Sequence, residues 1–127
     1  MIVLDASALL ALLHREAGWE VVAREAADND ATVSAVNYAE VLQKAASRSI
    51  EAERVDSAIE ALGITVSPFS RLDARLAASF FRPRSGLSLA DRVCLSLARS
   101  LSSPAFTADR VWRDWADDLG VEVRVIR

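Results

Sequence analysis

Cysteine and histidine are each present only once in this sequence, and this scarcity excludes several classes of catalytic and metal site. A lone cysteine, Cys94, excludes an internal disulfide and any zinc cluster built from cysteines. A lone histidine, His14, excludes mechanisms that need two imidazoles. No G-x-S-x-G turn supplies the serine of a Ser-His-Asp triad. Any catalysis by this chain must therefore come from other side chains.

Glycine, proline and long apolar runs are also scarce. Four Gly and three Pro leave few long loops. No apolar run approaches the roughly 18 residues that a membrane helix needs. The opening segment has no positively charged leader, and Asp5 interrupts its apolar stretch, so we interpret it as folded and not as a signal peptide. We expect a cytoplasmic protein that does not associate with membranes.

The overall composition is that of one soluble globular domain spanning residues 1–127, with 52% hydrophobic and 26% charged residues. The net charge is -3, and the only lysine is Lys44. A module that simply binds phosphates would normally be basic. If the chain handles nucleic acid, something must neutralise its acids locally.

Short apolar or β-branched segments alternate with helical patterns along the chain. Strands are predicted at residues 2–4, 31–34, 64–67, 105–107 and 121–126. Helices are predicted at residues 6–15, 17–28, 37–46, 51–62, 71–81, 88–101 and 111–119, the third of them capped by Ser34 or Asn37, and residues 82–86 form the one clear loop. This alternation predicts an α/β fold with a mostly parallel central sheet of about five short strands and helices on both faces. In such sheets ligands bind at the carboxyl ends of the strands.

Two acids fall at that edge. Asp5 follows the first predicted strand and Asp109 follows the fourth. Both positions would gather their carboxylates at the carboxyl edge of the sheet. The same positions suit helix N-caps, which explain either residue equally well.

A third acid, Asp91, shares one helix face with Leu87, Cys94 and Leu95. An unpaired buried carboxylate costs several kcal/mol, so Asp91 needs a partner or a cation. The alternative is a capping box, because Ser88 stands three residues before it. Acids that converge stay ionised when cations lie between them. Oxygen ligands without His or Cys favour Mg²⁺ or Mn²⁺, and such ions support phosphoryl hydrolysis.

Four short segments, residues 2–8, 37–41, 87–91 and 106–112, together resemble the PIN-domain family, specifically the VapC-type ribonuclease toxins of bacterial toxin–antitoxin pairs. The resemblance implies an endoribonuclease that depends on Mg²⁺, with Mn²⁺ as a substitute. It also implies that the metal-binding and catalytic residues are the acidic quartet of Asp5, Glu40, Asp91 and Asp109, supported by Ser7 and Thr107. Glu40 enters only through this resemblance, because helical periodicity alone places it on a solvated face. The implied partners are an RNA substrate, a cognate antitoxin whose tail covers the acidic pocket, and a second copy of the chain.

Basic residues flank these acids in sequence. Arg82 and Arg84 lie in the loop that leads into the Asp91 helix, and Arg110 follows Asp109. We predict that these arginines contact RNA phosphates, whereas a solvated charged turn explains the loop pair equally well. Asp114 is a further candidate acid near the site.

Two other functions fit an α/β chain with acids at strand ends. One is a non-catalytic interaction module whose acids serve only as helix caps. The other is a phosphoacceptor receiver-like domain, which needs adjacent acids after the first strand and a lysine at a late strand end. Here Asp5 stands alone and Lys44 is the only lysine. A metal titration separates the interaction module from the enzyme.

Overall fold

The computed structural model describes residues 1–127, which form five strands and seven α-helices. The strands are β1 (Ile2–Leu4), β2 (Ala31–Ser34), β3 (Ile64–Ser67), β4 (Ala105–Thr107) and β5 (Val123–Val125). The helices are α1 (Ala6–His14), α2 (Trp19–Asp28), α3 (Ala35–Ser47), α4 (Ala52–Ala61), α5 (Arg71–Ser79), α6 (Leu89–Ser100) and α7 (Ala116–Leu119). A 3₁₀ helix, Arg110–Asp114, precedes α7. The predicted α/β fold is confirmed.

All five strands join one parallel sheet in the order β3-β2-β1-β4-β5. The chain builds the sheet outward from β1 in one direction and then crosses to build it in the other. The order therefore reverses between β1 and β4, and the crevice at such a switch point is the usual ligand site of an open parallel sheet. Receiver domains have the order 2-1-3-4-5, so this topology excludes the receiver-like alternative.

The sheet separates two hydrophobic cores. Ile2 and Leu4 pack into one core with residues of α1, α2, α3 and α4. Val3 points to the opposite face and packs with residues of α6 and α7. This alternation along a three-residue strand is the pleat of a strand that is buried on both sides. None of the helices has the length and hydropathy needed to cross a membrane.

The segment after β4 differs from the prediction. We expected one helix over residues 111–119, but the chain forms the 3₁₀ helix and then the short α7. The backbone N–H of Trp115 donates to the carbonyl of Trp112 at 3.2 Å, three residues back. Trp112 is fully buried, and the indole N–H of Trp115 donates to the carbonyl of Ser85 at 3.0 Å. Because both tryptophans are anchored to the second core and the 82–86 loop, the segment winds more tightly than an α-helix. The same anchoring packs both tryptophans against the second core.

One glycine is required where the chain turns between α1 and α2. Gly18 has φ of +92°, and a Cβ there would lie 2.5 Å from the carbonyl oxygen of Ile126. A side chain at this position would be strained and would collide with backbone. This close approach fixes the end of β5 against the start of α2.

Candidate functional site

The switch point between β1 and β4 brings the ends of two strands together. Asp5 follows β1 directly, and its backbone N–H donates to the carbonyl of Phe106 at 3.1 Å. Asp109 lies two residues beyond the end of β4. The fold thus places both strand-end acids at the carboxyl edge of the sheet, as the sequence predicts.

Asp5 is the most enclosed carboxylate of the site, with 6% of its surface exposed. Its Oδ1 accepts from Ser7 Oγ at 2.7 Å and from the backbone N–H of Ala8 at 2.8 Å. Its Oδ2 accepts from Thr107 Oγ1 at 2.6 Å. Burial raises the pKa of Asp5 to about 6 although these three hydrogen bonds oppose the rise, and the charge of Asp91 adds to it. Asp5 is therefore both an N-cap of α1 and a rigidly held acid that resists ionisation.

The hydroxyls of Ser7 and Thr107 also hold the chain after β4. Ser7 Oγ accepts from the backbone N–H of Ala108 at 2.8 Å, and Thr107 Oγ1 accepts from that of Asp109 at 3.0 Å. Asp109 is half-buried, and its Oδ1 accepts from the N–H of Val111 at 3.0 Å. Asp109 thus caps the 3₁₀ helix with one oxygen, while no hydrogen bond within the protein reaches Oδ2.

Asp91 forms the capping box that the sequence offered as its alternative explanation. The N–H of Ser88 donates to Asp91 Oδ2 at 2.8 Å, and the N–H of Asp91 donates to Ser88 Oγ at 3.1 Å. The side chain is half-buried, and its Oδ1 has no protein donor. Burial raises the pKa of Asp91, the Ser88 hydrogen bonds oppose that shift, and the charges of Asp109 and Glu40 raise it further. Capping occupies one oxygen and leaves the other for a ligand.

Glu40 is half-buried on α3 and is not on a fully solvated face. Its Oε2 accepts from Asn37 Nδ2 at 3.1 Å. The sequence offers Asn37 as a possible cap of this helix, but the structure gives that role to Ser34. The position of Asn37, one turn before Glu40, was a sequence signal for the contact between these two residues. No such signal exists for its second partner, Ala90 on α6, because Ala90 lies 53 residues away in sequence.

The acidic quartet lacks basic partners. Asp91 is repelled by Asp109 and Glu40, and its charge acts on Asp5. The three ion pairs of the protein all lie elsewhere. No three His, Cys, Asp or Glu side chains are arranged as a preformed cage for an ion. The quartet is nevertheless an all-oxygen donor set with uncompensated charge, and this chemistry fits Mg²⁺ or Mn²⁺.

A family profile for the PIN domain matches residues 2–117. The chain belongs to the PIN-domain family. No curated protein sequence gives a significant match.

Solved structures share the fold of this PIN domain at low sequence identity. A toxin–antitoxin complex from Klebsiella pneumoniae is 20% identical with a TM-score of 0.77, and the match covers 100% of this chain and 98% of that one. VapC20 of Mycobacterium tuberculosis, described as a sarcin–ricin loop cleaving toxin, is 17% identical with a TM-score of 0.71 over 90% and 94% of the two chains. VapBC-1 from nontypeable Haemophilus influenzae is 19% identical with a TM-score of 0.69 over 98% of each.

The predicted RNA-contacting arginines of this PIN domain differ in their surroundings. Arg82 is held within the protein, because its Nε donates to Asp118 at 2.9 Å and its Nη1 donates to two backbone carbonyls. Arg84 is exposed, has φ of +54° and forms no ion pair. Arg110 is exposed, and its Nε donates to the carbonyl of Arg127 at 3.2 Å. Arg84 therefore has the freest guanidinium of the three.

Cys94 and Asp114 have no assigned role in the site. Cys94 is fully buried in the second core, and burial, followed by the charges of the nearby acids, raises the pKa of its thiol. A buried thiol of this kind is unreactive. Asp114 lies on the exposed surface at the end of the 3₁₀ helix and has no protein partner.

Proposed function

We propose that this PIN domain is an endoribonuclease that hydrolyses RNA phosphodiester bonds with Mg²⁺ or Mn²⁺, and that it is the toxin of a type II toxin–antitoxin pair. The observation that carries the proposal is the acidic quartet, which lies at the sheet's switch point without a basic partner. The description of VapC20, which shares the fold, as a toxin that cleaves the sarcin–ricin loop supports RNA as the substrate.

The four carboxylates of the quartet would hold the ion. When bound there, Mg²⁺ would supply an activated water and would neutralise charge on the phosphodiester. Asp5 would be the most firmly held of the ligands, because Ser7 and Ala8 donate to it from the first turn of α1 and Thr107 donates to it from the end of β4. Ser7 and Thr107 also fix the backbone that carries Asp109. This arrangement needs no histidine as a general base.

We also propose a cognate antitoxin as partner and the cytoplasm as the place of action. Solved toxin–antitoxin complexes with the same fold support the partner. A basic side chain on the antitoxin would compensate the charge of the acidic quartet. Co-expression of the toxin gene with its neighbouring small reading frame should relieve growth arrest, and unrelieved arrest would contradict the pairing.

A homodimer is the remaining part of the proposal. Several large apolar side chains are exposed, among them Leu72 at 74%, Phe81 at 59% and Leu89 at 59%. Where such side chains form a contiguous patch, they favour an interface with another protein surface. Light scattering on the purified chain should give twice the 13.8 kDa mass of one copy, and a monomer at micromolar concentration would contradict this part.

A non-catalytic interaction module stays a second candidate, because a specific observation favours it. Asp5 and Asp109 are helix N-caps and Asp91 completes the capping box of α6, so capping interactions alone account for three of the four acids. Capping does not account for the mutual repulsion at Asp91 or for Glu40. An inert module would show no stabilisation by Mg²⁺ or Mn²⁺.

Cleavage of single-stranded or looped RNA by the purified chain tests the proposed function. We expect cleavage only with Mg²⁺ or Mn²⁺, products with a 5′-phosphate and a 3′-hydroxyl, and complete loss in EDTA. Asp91→Asn should be inactive, while Asp114→Asn, which changes an exposed acid outside the quartet, serves as the matched control and should stay active. Activity in EDTA, or 2′,3′-cyclic phosphate products, would contradict metal-assisted hydrolysis.

A further inference from the structure

Asn37 is a buried amide that links the Glu40 side chain to the backbone of α6, the helix that carries Asp91. The residue is 1% exposed and lies in the first turn of α3. Its Nδ2 donates to Glu40 Oε2 at 3.1 Å and to the carbonyl of Ala90 at 3.1 Å. Ala90 immediately precedes Asp91. One side chain therefore spans from the Glu40 carboxylate to the peptide unit that carries Asp91.

The orientation of this amide is fixed by its neighbours. Glu40 Oε2 and the Ala90 carbonyl can only accept, so both must face the NH₂ group. On the other side, Ser34 Oγ already accepts from the backbone N–H of Asn37 at 3.1 Å and donates to Oδ1 at 2.9 Å. Turning the amide over would place its oxygen against two acceptors. Every polar atom of the side chain thus has a partner in one orientation only.

This contact opposes the repulsion between two like charges. Glu40 and Asp91 belong to different helices, and their charges disfavour each other. No basic side chain pairs with either acid. The amide is uncharged, so it can hold Glu40 beside α6 without neutralising the charge that a cation needs.

We propose that Asn37 is a positioning residue that fixes Glu40 relative to Asp91, so that both carboxylates serve one divalent ion. The inference rests on the proposed metal-dependent function. Residues that orient ligand side chains typically change metal affinity by about 10- to 100-fold when they are lost. Asn37→Ala should therefore weaken Mn²⁺ binding by about this factor, while saturating Mn²⁺ restores most of the cleavage rate.

A double-mutant cycle with Glu40→Gln separates positioning from general loss of structure. If Asn37 acts through Glu40, its removal should cost Mn²⁺ affinity in the wild-type background and little more in the Glu40→Gln background. Thr32→Val is the matched control: Thr32 is also 1% exposed, and its hydroxyl hydrogen-bonds across to β3, away from the quartet. This control should lower thermal stability and leave Mn²⁺ affinity unchanged.

The experiment is calorimetric titration of Mn²⁺ into the full chain and its variants, with thermal unfolding alongside. If Asn37→Ala does not fold, Asn37→Asp replaces it, since Asp keeps the shape and the acceptor but loses both donated bonds. Unchanged Mn²⁺ affinity in a folded Asn37 variant, or equal losses in both Glu40 backgrounds, would overturn the inference while leaving the proposed function intact. A wild-type chain that bound no Mn²⁺ would overturn the proposed function and the inference with it.

Discussion

Replacing Asp5 by asparagine should stabilise the metal-free protein at neutral pH. Burial raises the pKa of Asp5 from its ordinary 3.8 to about 6. Since one pKa unit corresponds to about 1.4 kcal/mol, the ionised form of Asp5 lowers the free energy of unfolding by about 3 kcal/mol. Asparagine matches the shape of the protonated acid, and its oxygen can accept from Ser7 and Ala8. Asn and Asp are equally good N-caps, so the cap of α1 is preserved.

The pH dependence follows from the sign of the shift. The unfolded chain releases the Asp5 proton near pH 3.8, whereas the folded chain keeps it until about pH 6. Protonation of Asp5 therefore stabilises the folded state fully below pH 3.8, and this stabilisation is lost as the pH rises through about 6. The asparagine side chain of the variant does not titrate. The stability gain of Asp5→Asn should be under about 1 kcal/mol near pH 4 and should reach about 3 kcal/mol above pH 7.

Urea unfolding of both proteins in EDTA, at several pH values, measures this difference. A gain of about 3 kcal/mol corresponds to a rise in Tm of roughly 10 °C for a domain of this size. Mn²⁺ should narrow the gap, because it stabilises only the wild type. A difference that is independent of pH would show that Asp5 does not titrate as the burial argument requires. A variant that is less stable at neutral pH would show that ionised Asp5 is a net stabilising cap.

Three further predictions concern Asp91, Arg84 and Gly18. Asp91→Asn should abolish cleavage with little change in metal-free Tm, whereas Asp91→Ala should also lose about 1 kcal/mol with the capping box; a large Tm loss in the Asn variant would favour a purely structural role. Arg84→Ala should weaken RNA binding and reduce its salt-dependence slope by about 1, more than Arg82→Ala, whose guanidinium already pairs with an acid; equal effects in a binding titration would contradict this. Gly18→Ala should lower the Tm more than Gly63→Ala, because both glycines have positive φ but only Gly18 lies against backbone; equal thermal scans would contradict the steric argument.

The sequence pattern was sufficient to predict the fold, because each buried strand is marked by its own short apolar segment of the sequence. Four strands have the predicted bounds, and β5 is shorter than the predicted 121–126 at both ends. Each of the first four strands is a short apolar or β-branched run with a polar residue at its end or directly after it. The segment at 111–119 was predicted wrongly because Ser85, far away in sequence, anchors Trp115. No local pattern carries that contact.

The candidate site was predictable only in part. Strand ends placed Asp5 and Asp109, and helical periodicity with a capping motif placed Asp91, without deciding between cap and ligand. Glu40 required resemblance to a family, because its helix face carries no signal. The bond from Asn37 to α6 and the pairing of Arg82 with Asp118 depend on residues that meet only after folding.

The proposed function requires that the acidic quartet hold a divalent cation. Crystals of the protein grown with Mn²⁺ and measured at a wavelength where manganese scatters anomalously test it directly. We predict an anomalous peak among Asp5, Glu40, Asp91 and Asp109, and its loss in crystals of Asp91→Asn. Crystals that contain Mn²⁺ but show no peak between these carboxylates would show that the quartet does not bind the ion. An equal peak in the variant would show that Asp91 is not one of its ligands.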